Sequence, residues 1–548
     1  MLTDEIVKLV HKSIVAAQKR KELPKFKIPQ IIIETPNKEI FGDKSTNVSL
    51  ILSKASKKTP DKIAEIIIKN LPKNKLIKEA KFVSGFINFF ISEEWLQKQI
   101  PEILKQKNKY GSQKLDKKLK IQVEFGGVNP TGEMHLGHGR NLFIGDTLAN
   151  CLKFLGHKVQ REHYVNDYGN QIAIFGRSVE LRYLELLGNQ IEFPKEGYQG
   201  DYPIFLAEQI ITKHGNKFLK QKPIERLEKI TNLAVKLSID HLKRASKMLQ
   251  INFDNWFLES NLHKSGYFNK TIDLLEKKKL IYCEDGAIWF RTTKFGSNKD
   301  DVAIRSDETP TYFGSDIAYH RDKFEKRKFN KVIDVWGANN SGQVKRVEAA
   351  CEALGYKDKL DIIIYQYVSL LKKGKKIGMS KRAGTYLTLE QLVDEVGLDV
   401  ARYFFLTKSA DTHLDFDLDL ARLETEKNPV FYIQYAYARI SSILRKTKIK
   451  NTNGLELELL NHPAEIKLIK LLIQFPEVLS EISKKYEVHK LNYYAYSLAT
   501  AFHSFYKNCR VITDDQKLTK VRLNLIEAAK IVLENNLNIL KISLPKKM

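Results

Sequence analysis

Cysteine is scarce in this chain. The 548 residues contain four, Cys151, Cys283, Cys351 and Cys509, widely separated and without a C-x-x-C pair. That spacing suggests neither a disulfide framework nor a zinc knuckle, and it fits a reducing cytoplasm, which is the expected location. Long apolar runs are also missing: no stretch reaches the roughly 18 residues that a bilayer helix needs. The first residues, Met1-Leu2-Thr3-Asp4-Glu5, carry acids where an export signal has its apolar core. Neither a membrane span nor a signal is therefore expected. Acidic residues are in deficit, 65 Asp+Glu against 91 Lys+Arg, which leaves a net charge of +26. An excess of that size points to a polyanionic partner, nucleic acid first, although a coding bias toward Lys, Ile and Asn contributes to it. No internal repeat is visible.

What is present is enough apolar material for real cores, 43% of residues, in a chain too long for one of them, since single cores stop growing near about 250 to 300 residues. Residues 1–115 begin with Ile6, Val10, Ile14 and Ala17 at helical spacing and include β-like runs at Ile31-Ile32-Ile33 and Phe86-Ile87-Asn88-Phe89-Phe90, a pattern for a small α+β domain. A polar, Lys-rich linker, Gln106 to Lys118, leads to the strand Ile121 to Phe125. Over 116–427, strands such as Val332 to Trp336 and Ile362 to Tyr365, each followed by a helical run, predict a parallel α/β domain. Long helical patterns between about 180 and 300 predict an insertion in it. Residues 428–548 lose the strand signals and read as all-α.

Two segments bear chemistry. The first runs from the strand through Gly126-Gly127 and Asn129-Pro130-Thr131-Gly132 into His135-Leu136-Gly137-His138 and a helix through Leu152. A strand, a Gly-rich turn and a helix N-terminus present free backbone N–H groups and a helix dipole to an anion. Gly137 permits close approach of a nucleotide, and His135 and His138 can donate to phosphate oxygens as charge develops on them. The second segment, Lys372 to Gly384, packs cations among glycines; Met379, Ser380 and Lys381 lie in its centre, and Lys381 is placed to neutralise phosphates as the loop closes. Either segment alone is weak, since a basic loop is usually just solvated. Together they describe two grips on one ATP.

The two segments resemble the HIGH and KMSKS signatures of class I aminoacyl-tRNA synthetases, and the surrounding text resembles the arginyl-tRNA synthetases of the bacterial type. The resemblance rests on Val123 to Gly132, Tyr164-Val165-Asn166-Asp167-Tyr168-Gly169-Asn170-Gln171, Thr311 to His320, Gly378 to Gly384, Asp411 to Asp417 and Ala501 to Tyr506, with Phe82 to Ile87 in the N-terminal domain. It implies a Rossmann-like catalytic domain with an insertion, an N-terminal domain that touches the tRNA elbow, and a C-terminal anticodon-binding domain. It further implies ATP-dependent ligation of L-arginine to tRNA through an arginyl-adenylate, with Mg2+ on the phosphates and no enzyme nucleophile. By resemblance, Glu124 and Asp316 hold the guanidinium, Tyr312 lines the pocket, and Asn129 and His135 face the substrate's α-amino or carboxylate group. Carboxylates are what a buried cation demands, and Tyr312 and Asp316 share one face if their segment is helical. Tyr435, Arg439 and Phe505 are candidates for tRNA contact, because unstacked bases bind to aromatics interleaved with cations, and Met548 is a candidate because the closing Pro545-Lys546-Lys547-Met548 resembles the family's own ending.

The chain departs from the family in three places. Gly126-Gly127-Val128 replaces a Ser-containing triplet, Gly378 and Arg382 replace the first lysine and last serine of KMSKS, and Asn339-Asn340 stands where His or Gln is frequent. Rival readings are a cofactor adenylyltransferase, against which the basic helical tail argues, a cysteinyl synthetase, which would need a thiol-selecting cysteine cluster, and an inactive tRNA-binding paralogue, against which His135, His138 and Lys381 argue. No resident metal site and a monomer are expected.

Overall fold

The structure is a computed structural model describing residues 1–112, 115, 117–377, 387–447 and 454–548. At its centre is a five-stranded parallel sheet in the order Leu360–Tyr365, Lys331–Gly337, Lys120–Glu124, Lys158–Val165, Asn255–Leu258. The strand that comes first in the chain is central. The chain winds outward from it on one side through Lys158–Val165 and then returns to the other side with Lys331–Gly337. Such a reversal leaves a crevice beyond the carboxyl ends of the strands where ligands bind.

The helix Leu136–Phe154 follows the central strand and is buried along most of its length. At Gly145 it meets the sheet so closely that a Cβ would lie 2.2 Å from Cγ of Phe125. The insertion contains the helices Asn170–Leu186, Asp201–His214 and Pro223–Met248, which share a core of Phe175, Val179, Tyr183, Leu206 and Ile230. It also contains a feature absent from its helical sequence pattern, a three-stranded antiparallel sheet of Ile281–Glu284, Ala287–Phe290 and Asp301–Ile304. The helical run expected after Ile362 to Tyr365 is a hairpin instead, Val368–Lys372 with Lys375–Ile377. Lys373 and Gly374 both take positive φ there, at 51° and 69°, the conformation of a tight two-residue hairpin turn.

In the N-terminal region the helix Leu2–Lys19 buries Ile6, Val10, Ile14 and Ala17 beside a sheet of Lys44–Thr46, Phe86–Ile91 and Ile77–Val83. The β-like run Ile31 to Ile33 joins no ladder; only the following Glu34 bridges, to Ser45. The C-terminal region consists of the helices Pro429–Lys446, Pro463–Lys485, His489–Asn508 and Gln516–Leu540, two of them opened by a proline whose missing N–H costs nothing at that position.

The ends of the chain meet. Lys44 Nζ lies 2.6 Å from Oε2 of Glu477, and Gln97 Nε2 donates to the Leu460 carbonyl at 3.0 Å. Behind the sheet, the buried carboxylate of Asp146 on the helix Leu136–Phe154 receives Arg402 at 2.9 Å, Lys541 at 3.0 Å and Arg161 at 3.2 Å. Among the described residues, no helix is long and apolar enough to cross a membrane.

Candidate active site

The central strand ends at Glu124, and the turn after it needs glycine. Gly126 has φ +94°, and a Cβ on it would lie 2.3 Å from Nδ1 of His163. Its N–H donates to Asn141 Oδ1, while Asn141 Nδ2 donates to the Val335 carbonyl at 2.7 Å, so one side chain ties the turn to the neighbouring strand. The next helix begins with His135 as its N-cap. Nδ1 of His135 accepts from the Gly137 N–H at 3.1 Å, and Nδ1 of His138 accepts from the His135 N–H at 3.1 Å. An imidazole nitrogen that accepts carries no proton, so both rings hold their hydrogen on Nε2 and present it as a donor. The ring centroids are 3.7 Å apart. Burial, with His135 and His163 nearby, pulls His138 down to about 3. It is therefore a neutral N–H donor at physiological pH.

A cavity of about 580 Å³ opens in front of this helix, at the crevice. Glu124, Asp316, His135, Gly137, His138, Asn141 and Tyr164 line it, together with Trp336 and Tyr365 from the strands Lys331–Gly337 and Leu360–Tyr365 and with Asn339 and Asn340 from the helical turn Ala338–Asn340. Its two carboxylates come from different elements, Glu124 from the end of the central strand and Asp316 from the helix Tyr312–Arg321. Burial first, then the charge of Asp334, pushes Glu124 up to about 7. Burial and Glu259 push Asp316 up to about 7. Two half-buried acids whose charged forms are disfavoured suit a cation that brings its own N–H donors. A shallower hollow of about 390 Å³ adjoins the same two histidines and includes Asn129, whose Nδ2 donates to Gln171 Oε1 at 3.0 Å.

Behind the carboxylates lies a network that the sequence reading passed over. Lys323 is fully buried and donates to Glu124 Oε2 at 2.5 Å and to Asp334 at 3.0 and 3.2 Å. His320 Nε2 lies 2.9 Å from Asp334 Oδ2. Two signals could have found it. Asp334 interrupts an otherwise apolar strand, and Asp316, Tyr319, His320 and Lys323 recur at i, i+3, i+4 and i+7, one face of a helix. Lys323 itself was hidden in the charged run Arg321 to Lys328.

Of the other candidates, Tyr312 is 54% exposed at the first turn of its helix and is not among the residues lining the cavity. Met379, Ser380 and Lys381 lie outside the described residues. Tyr435 is exposed, with the Arg439 guanidinium 4.7 Å from its ring and 4.7 Å from that of Tyr506. Met548 is exposed as well. Phe505 is fully buried in the helical core, and its neighbour Tyr506 holds the exposed position. Among the described residues no group of three or more His, Cys, Asp or Glu is placed to hold a metal ion.

Three family models match the chain: the arginyl tRNA synthetase N terminal domain over residues 4–91, the class I (R) tRNA synthetase catalytic domain over 99–419, and the DALR anticodon binding domain over 433–548. The arginine–tRNA ligase of Moorella thermoacetica is 42% identical over 95% of this chain and 94% of its own. That of Bacillus subtilis is 41% identical over 95% of each. In structure, the arginyl-tRNA synthetase of Thermus thermophilus superposes with a TM-score of 0.79 over 100% of both chains at 22% identity, a likeness of fold.

Proposed function

The chain belongs to the arginyl-tRNA synthetases of class I, and from that premise we propose how its cavity carries out the family's reaction. The protein is an ATP-dependent arginine–tRNA ligase. The carboxylate of L-arginine attacks the α-phosphorus of ATP and expels pyrophosphate, and a ribose hydroxyl of the terminal adenosine of tRNA then takes the arginyl group and releases AMP.

The observation that carries the site assignment is the meeting of two half-buried carboxylates, Glu124 and Asp316, with the Nε2 atoms of His135 and His138 in one cavity. Glu124 and Asp316 take the guanidinium. Asn129 and His135 face the α-amino and carboxylate end. Gly137 admits the phosphates to the N-terminus of the helix, where His135 and His138 stabilise the charge that builds on the α-phosphate. Met379, Ser380 and Lys381 belong to the second grip. Catalysis in this scheme is positioning and charge stabilisation, with no covalent enzyme intermediate. Mg2+ enters with ATP as part of the substrate, in keeping with its preference for phosphate oxygens and retained water over a protein cage.

The functional units are 1–115, which meets the tRNA body, 116–427, which holds the chemistry, and 428–548, whose exposed Tyr435 and Tyr506, with Arg439 between them, face the anticodon loop together with Met548. The protein works in the cytoplasm as a monomer. An aminoacylation assay with tRNA and each standard amino acid tests the reading: arginine alone should be charged. Charging of a different amino acid would overturn it.

A further inference from the structure

Lys323 is a cation already seated in a pocket meant for a cation. Its ammonium is fully buried, reaches Oε2 of Glu124 at 2.5 Å and both oxygens of Asp334 at 3.0 and 3.2 Å, and lies 4.2 Å from the centre of the Tyr319 ring. The surroundings hold it there. Tyr319 is anchored through its hydroxyl to Glu162 Oε1 at 2.5 Å, and Asp334 is bonded on its other side by His320. The backbone is also shaped for it, because Lys323 sits in a π-helical turn, Asp322–Lys326, which continues the helix carrying Asp316. Widened turns of this kind are concentrated at functional sites.

We propose that Lys323 is a positioning residue for arginine selection: by occupying Oε2 of Glu124 it fixes the orientation of that carboxylate and leaves Oε1 to the incoming guanidinium. The inference rests on the assignment of Glu124 to the arginine pocket. The alternative role is purely structural, in which Lys323 does no more than neutralise Asp334. The two roles separate in a double variant. Lys323→Met alone strands two buried acids and is liable to lose the fold. Lys323→Met with Asp334→Asn removes a cation and an anion together, keeps a similar volume, and leaves Glu124 without its partner.

Steady-state aminoacylation by the double variant, with folding checked by circular dichroism, is the decisive measurement. A positioning role predicts an arginine KM raised at least tenfold with the ATP KM within about threefold. A wild-type arginine KM in the folded double variant would overturn it. Lys323→Ala made together with Asp334→Asn, again with folding checked, supplies a second readout, because it vacates a space the size of a short amine. Methylammonium or ethylammonium ions should recover at least threefold in arginine kcat/KM, and tetramethylammonium, which has no N–H to donate, should recover none. Equal effects of all three ions, or of none, count against the proposal. Glu124→Gln keeps the parent assignment separately testable. If that change leaves the arginine KM alone, the pocket assignment itself fails. If it raises the KM while the double variant does not, only the role of Lys323 fails.

Discussion

In the pocket proposed for arginine, a guanidinium would meet two carboxyl groups, Glu124 and Asp316, that burial has pushed up to about 7, so binding and proton release would be linked. The groups facing them are Glu259, Asp334, Lys323, His320 and Arg346. The sign follows from the raised values. Without ligand, the protonated forms are favoured in the folded protein, and these two acids cost stability increasingly as pH rises toward 7. A bound cation needs the charged forms and offsets that cost. Arginine should therefore weaken as pH falls below about 7, by roughly tenfold per pH unit for each proton that must leave. Thermal shift at pH 6 and pH 8 checks this: the rise in Tm on adding arginine should be larger at pH 8. Asp316→Ala removes one partner of a buried cation, a loss of about 2 to 5 kcal/mol. The arginine KM should rise at least 30-fold with the ATP KM nearly unchanged, and an unchanged arginine KM would take Asp316 out of the pocket.

The elements explain why some of this was legible and some was not. The strand, glycine turn and helix around His135 and His138 carry their pattern locally, in glycines that permit a backbone path and in histidines that cap a helix. Family resemblance singled out Glu124 and Asp316, and both line the one cavity. Lys323 was not, because a lysine among charged residues reads as solvent-facing until the helix bearing it is seen to pack inward. Phe505 and Tyr506 are adjacent aromatics whose burial only the packing of four helices decides, and the sheet of residues 281 to 304 consists of strands too short to show an alternation. The helix Tyr312–Arg321 also packs without a gap: a Cβ on Gly314 would lie 2.3 Å from the Ala303 carbonyl oxygen. Gly314→Ala should therefore displace the helix and raise the arginine KM although Gly314 touches no substrate, and unaltered kinetics would show that the helix yields elsewhere. On the other helix, His138→Ala removes an N–H donor that faces charge in the transition state. Its kcat should fall about 10²- to 10³-fold while tRNA affinity, measured by filter binding, stays within about threefold.

Across the whole molecule, the catalytic helix is held from behind by one acid and three cations. Asp146 is buried, and Arg402, Lys541 and Arg161 hold its carboxyl below the usual range against the cost of burial. Asp146→Asn leaves those cations uncompensated and should cost about 3 to 5 kcal/mol, read as a lower denaturation midpoint with ATP and arginine binding weakened in parallel. A depressed carboxylate contributes stability above its unfolded pKa, so the contribution of Asp146 disappears only as pH drops through the carboxylate range, well below the pH at which Glu124 and Asp316 titrate.

The position of Lys541 in the chain has a consequence for synthesis. Translation delivers the cavity's lining strands and helices well before it delivers the residue that completes the ion cluster behind them. A nascent chain halted at residue 540 would own every described side chain of the pocket, with Arg402 and Arg161 on Asp146 but not yet Lys541. The third cation behind that helix thus arrives only when nearly the whole chain has been made.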